Sequence, residues 1–202
     1  TNTLNVGKIQ IAKMFSGDLD DTKLTDAQKR QITFTIAGPD GYNGPTSVTY
    51  DQFTAGSYVV KNAPYGTYTI TETNAAFDGY KNTVTYAVGA SKNDTDATVE
   101  ISSDATSLVT ITNTYTAYVN ISGTKVWDDN DNQDGKRPNN ITVIVKNGDT
   151  EVDRKTVTPD AAGNWTYSFE NLPKYDASGN AIAYTVSEAK VTGYNTQITG
   201  SI

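Results

Sequence analysis

The 202-residue sequence contains no cysteine and no histidine. Without cysteine there are no disulfides and no thiolate metal ligands. Without histidine there is no imidazole to hold zinc or to act as base in a Ser-His or Cys-His nucleophile pair. Positive charge is also scarce: 16 Lys and Arg against 23 Asp and Glu leave a net charge of −7. That is the wrong sign for nucleic acid or an anionic membrane, both of which call for basic patches. No apolar run approaches the ~20 residues of a membrane-spanning helix, and no signal peptide begins at Thr1. The expectation is a mature or excised piece of a soluble protein, with no cofactor and no resident metal. The missing cysteine does not fix the compartment. A small extracellular β-protein without disulfides would need some other staple, if it needs one at all.

What is present is the vocabulary of strands and turns. Thirteen Tyr and 16 Gly, with frequent Thr and Val, predict an all-β chain. Strands are expected at Lys8–Phe15, Ile32–Ile36, Ser57–Lys61, Thr67–Thr71, Thr83–Val88, Ala97–Ile101 and Ser107–Tyr115. Thr25-Asp26-Ala27-Gln28 has the form of a capping box and predicts one short helix. Asn62-Ala63-Pro64-Tyr65-Gly66 is expected to turn the chain into the next strand.

Three strands break their own pattern. Alternation places Lys13 with Ile9 and Ile11, Glu72 with Tyr68 and Ile70, and Asn113 with Val109 and Ile111. A lone strand lysine usually snorkels to water, and a free ammonium in a core is costly. An amine, a carboxyl and a carboxamide aimed into one interior are the ingredients of a self-made amide bond. Burial favours the neutral amine that such a bond requires, and a neutral Glu72 could donate to the Asn113 carbonyl. Lys8 competes as the amine but is out of phase with Ile9 and Ile11.

The second half replays the first. Val119, Ile121, Gly123, Lys125 and Trp127 share a face; Asn171-Leu172-Pro173 echoes Asn62-Ala63-Pro64; Tyr184–Glu188 echoes Tyr68–Glu72; Gly193-Tyr194 echoes Gly79-Tyr80. Glu188 follows Lys125 by 63 residues, as Glu72 follows Lys13 by 59. This order predicts a duplicated domain: residues 1–116 and 117–202, two tandem Ig-like antiparallel β-sandwiches of seven or so strands each.

At Lys125–Pro138 and around Lys13, Thr71-Glu72-Thr73 and Ile111-Thr112-Asn113-Thr114, the sequence resembles the CnaB-type domains of Gram-positive collagen adhesins and related pilins. The insert Leu19–Gln31 looks more pilin-like. The resemblance implies an intramolecular isopeptide bond between Lys13 and Asn113 assisted by Glu72, with Lys125 and Glu188 in the matching roles. It further implies a structural stalk segment, extracellular and anchored to the cell wall through a region outside this chain. Turnover catalysis is not expected. Adjacent domains of a longer surface protein would be its partners. A binding module touching host matrix protein or glycan through Asp40–Pro45 or Ala75–Asp78 is the alternative.

The second half ends without a counterpart of Asn113, so its last strand is expected to be missing. Thr1-Asn2-Thr3 reads as the relic of a preceding strand. Asn2 of a neighbouring chain could then complete the second domain head to tail and pair with Lys125. The acidic stretch Asp128–Asp134 suggests a calcium loop with Asn130, Asn132 and Asp134 as ligands, but Ile141 stands where a bidentate Glu is needed, which favours a solvated loop. Trp127 and Trp165 are expected in the core.

Overall fold

The computed structural model describes residues 4–200. Its elements are β1 (Val6–Gly17), α1 (Asp26–Gln31), β2 (Thr33–Ala37), β3 (Ser47–Thr49), β4 (Ser57–Pro64), β5 (Gly66–Thr73), β6 (Tyr80–Val88), β7 (Ser91–Asn93), β8 (Ala97–Ile101), β9 (Thr106–Lys125), β10 (Ile141–Asn147), β11 (Thr150–Val157), β12 (Trp165–Pro173) and β13 (Tyr184–Glu188). The chain divides after Ala117 into two compact units.

The first unit pairs a sheet of order β4-β1-β9-β6-β7 with one of order β3-β2-β5-β8. Between them lie Ile9, Ile11, Phe34, Ile36, Tyr68, Ile70, Val109 and Ile111, all at most 1% exposed. The capping box forms as expected: Thr25 accepts from the Gln28 backbone while Gln28 accepts from the Thr25 backbone. The helix itself buries no residue, and Leu24 and Ile32 at its two ends anchor it to the core.

The pairing direction in the first unit is a correction to expectation. The sandwich is not wholly antiparallel, because β1 and β9 run side by side in parallel, with Lys13 level with Ile111 and Phe15 level with Asn113. Parallel neighbours need a long crossover, and the whole chain between Gly17 and Thr106 serves as one.

The second unit has a sheet of order β11-β10-β13, while β12 pairs with Tyr118–Lys125 of β9. Ile121, Val143, Val145, Trp165, Phe169 and Tyr184 form its core. Among the described residues it holds five strands, counting β9, rather than seven or so. The polar run 128–140 and the stretch after Glu188 form turns and irregular backbone.

Of the expected turn Asn62–Gly66, the change of strand falls at Tyr65, between β4 and β5. Asn62–Pro64 form a β-bulge within β4, where the pairing with β1 jumps between Gly7 and Ile9. Asn171 makes the same jump in β12, between Phe169 and Leu172. Both asparagines sit at left-handed φ, 52° and 57°, which asparagine tolerates better than most residues. Each bulge ends in a proline whose carbonyl accepts from a tyrosine of a later strand: Tyr68 to Pro64 at 2.9 Å and Tyr184 to Pro173 at 2.8 Å. The two units thus share this backbone irregularity.

Candidate functional site

Lys13 comes from β1, Asn113 from β9 beside it, and Glu72 from β5 in the facing sheet. The parallel register sets Asn113 two residues beyond the partner of Lys13, so the lysine stem reaches forward to it. Lys13 Nζ donates to Asn113 Oδ1 at 2.6 Å and lies 3.1 Å from Glu72 Oε1, with the two charged side chains 0% and 1% exposed. Asn113 is fully buried. The amine also sits 4.5 Å from the Phe15 ring centroid. Lys8, the competing amine, is exposed on the other face.

Electrostatics here pull in opposite directions. Burial pushes the Lys13 ammonium down from 10.5 to about 8, while Glu72 beside it pulls the value back up. The Glu72 contact is close but off the direction of a hydrogen bond, and neither of its carboxyl oxygens has a hydrogen-bond partner among the described residues. A buried, unsatisfied carboxyl beside an amine and an amide is costly as a resting arrangement.

Sequence reasoning missed Tyr115. Its hydroxyl oxygen accepts from Asn113 Nδ2 at 3.2 Å and donates to the Ala75 carbonyl at 2.7 Å. The signal was available, since Tyr115 follows Asn113 by two residues and shares its face.

In the second unit Lys125 and Glu188 do come together: Nζ lies 3.0 Å from Oε2, with side chains 14% and 7% exposed. Lys125 Nζ sits 4.5 Å from the Trp127 centroid, the same distance as Lys13 from Phe15. Among the described residues no side chain but Glu188 hydrogen-bonds this amine. Asn2, its suggested acceptor, lies outside the described residues, as does the Thr1–Thr3 relic.

The acidic loop is closed from within by Asn132 and from outside by Arg137 and Tyr194. Asp129 accepts from Arg137 Nε at 3.0 Å, the Asn132 amide at 3.0 Å and the Tyr194 hydroxyl at 2.9 Å. Asn132 Oδ1, one of the suggested calcium ligands, instead accepts from the Arg137 amide at 2.9 Å. Arg137 holds the Asp129 carboxyl far below the usual carboxylate range. Trp165 is in the core, 5% exposed, and Trp127 packs edge-on against it at 5.4 Å. In the Ala75–Asp78 loop, Ala75 and Phe77 are 7% and 9% exposed, whereas Ala76 and Asp78 face solvent.

Residues 121–202 match the Cna protein B-type domain, and residues 9–116, just over half the chain, match a domain of unknown function, DUF5979. The chain belongs to the DUF5979 family through its first half, and its second half is similar to the Cna protein B-type domain. A collagen adhesin of Staphylococcus aureus is 48% identical over 93 residues, 45% of this chain but only 8% of that protein. The crystal structure of two B repeat units of the S. aureus collagen-binding protein aligns over 98% of this chain and 48% of that one, at 25% identity and a TM-score of 0.41. A streptococcal ancillary pilin aligns over 100% of this chain and 58% of that one, at 16% identity and a TM-score of 0.37.

Proposed function

We propose that the chain is a stalk segment of a Gram-positive surface adhesin or pilus, whose first domain locks itself by an isopeptide bond between Lys13 and Asn113. The observation that carries this reading is the buried contact of an amine, a carboxamide and an otherwise unpartnered carboxyl. Transfer of a proton from the Lys13 ammonium to the Glu72 carboxylate turns the ion pair into an amine and a carboxylic acid. The amine attacks Asn113 Cγ while Glu72 donates to Oδ1 as negative charge develops there. The Nζ–Cγ bond forms, the Cγ–Nδ2 bond breaks, and Glu72 relays the proton shed by Nζ to Nδ2, which leaves as ammonia. The fold supplies the effective concentration. It happens once per molecule and ends with a neutral amide where an ion pair stood.

The bond would join neighbouring strands near opposite ends of the domain's sequence, so tension on the chain would bypass most of the sandwich. In the second domain Lys125 and Glu188 would play the same parts for an acceptor on a further strand. Asn2 of a neighbouring chain is one such acceptor, and a covalent ladder on a denaturing gel of the concentrated chain would reveal it.

Tryptic mapping tests the first bond. Modified Lys13 resists trypsin, so residues 9–23 and 93–125 are expected as one branched peptide, absent from Lys13→Ala and Asn113→Ala and scarce in Glu72→Ala. Recovery of residues 9–13, 14–23 and 93–125 as three separate peptides from the wild-type chain would overturn the reading.

A further inference from the structure

The Tyr115 hydroxyl sits at the reacting amide, and the proposed chemistry has not yet used it. Its ring is fixed, being fully buried and packed against Phe15 at 6.5 Å, Phe77 at 5.4 Å and Tyr80 at 6.2 Å. A phenol has one proton to give. Here that proton goes to the Ala75 carbonyl at 2.7 Å, so toward Asn113 the oxygen can only accept.

An asparagine side chain can present its oxygen or its nitrogen in nearly the same envelope. The two orientations differ in what they can do. With nitrogen toward Tyr115 there is a hydrogen bond at 3.2 Å, and Oδ1 faces the Lys13 amine at 2.6 Å. Turned over, Oδ1 would meet the phenol's lone pairs, and Nδ2 would face an ammonium that has no use for another donor. In a dry interior each unmade hydrogen bond costs more than at the surface.

We propose that Tyr115 is a positioning residue for isopeptide formation: its hydroxyl oxygen holds Asn113 Nδ2, so that the carbonyl faces the amine and carboxyl. The inference rests on the crosslinking reading above and adds to it the group that orients the electrophile. Burial pushes the Tyr115 phenol up to about 12, which keeps the proton on the oxygen and the Ala75 bond in place throughout the working pH range.

The test follows the crosslink as it forms. The full chain is made by cell-free translation, quenched in acid at intervals and weighed intact under denaturing conditions. Wild-type chain is expected to lose one ammonia, and Tyr115→Phe, which keeps the ring, to lose it about tenfold more slowly, the kinetic equivalent of one buried hydrogen bond. The same substitution in a Lys13→Ala background, where no bond can form, reports its purely structural cost as a melting shift. Replacing Tyr115 by a ring-fluorinated tyrosine keeps shape and hydroxyl but weakens the acceptor, so the rate should fall with acceptor strength; this variant also decides the matter if Tyr115→Phe does not fold. A wild-type rate in both variants would overturn the role of Tyr115. A wild-type chain that never loses ammonia would overturn the crosslinking reading itself.

Discussion

Replacing Lys13 and Glu72 together, as Lys13→Met with Glu72→Met, separates a crosslinked core from one that merely holds an ion pair. If the bond exists, the double variant loses the closure of a loop spanning 100 residues, worth about 4.7 kcal/mol by the chain-entropy treatment used for disulfides. The first unit runs from Thr1 to Ala117, and for a domain of that size each kcal/mol moves the melting point by roughly 4 °C. The first unit should therefore melt about 20 °C lower. If there is no bond, the same change swaps a buried ion pair for apolar side chains of similar volume, which is commonly neutral or stabilising by about 1–4 kcal/mol. The two accounts differ in sign. Calorimetry of the full chain measures the shift, and tryptophan fluorescence assigns the other transition, since Trp127 and Trp165 both lie in the second unit. A first-unit transition that stays put or rises would refute the argument.

Further consequences concern titration and the acidic loop. Asn113→Ala leaves the Lys13 amine free, and its folded value of about 8 lies below the ordinary 10.5. Between these values the unfolded chain holds the extra proton, so this variant should gain stability as pH rises through that window, by up to about 3 kcal/mol. A crosslinked wild-type chain has no such amine, and denaturant midpoints at several pH values should show no matching rise. Asp129→Ala releases Arg137 and Tyr194 and should lower the second unit's melting point while leaving the first unchanged. Because the Asp129 carboxyl is held below its ordinary value, its contribution is present above the usual carboxylate range and lost on acidification; Trp127 emission should report this, since Tyr194 packs 4.9 Å away. Added calcium should leave that emission unchanged, since Asp129 and the Asn132 oxygen are already engaged.

What was legible in the sequence was whatever repeats every two residues. Alternation placed Lys13, Glu72 and Asn113 inward because their apolar neighbours in the same strands are core residues. The capping box was readable because both of its hydrogen bonds close within four residues. The parallel pairing of β1 with β9 was not, since side-chain period is blind to strand direction. Asn62 was read as a turn residue and Asn171 as its echo, as asparagine at left-handed φ serves turns and bulges alike. The hold of Tyr194 on Asp129 spans 65 residues, and nothing local announces it. Tyr115 carried the right spacing but looked like one more core aromatic.

The central claim, that Lys13 and Asn113 fuse in a dry interior, is tested most directly by the intact mass of the unfolded wild-type chain. The account predicts a mass one ammonia below the sum of its residues, restored to that sum in Lys13→Ala once the substitution is allowed for. A wild-type mass equal to the sum of its residues would contradict it.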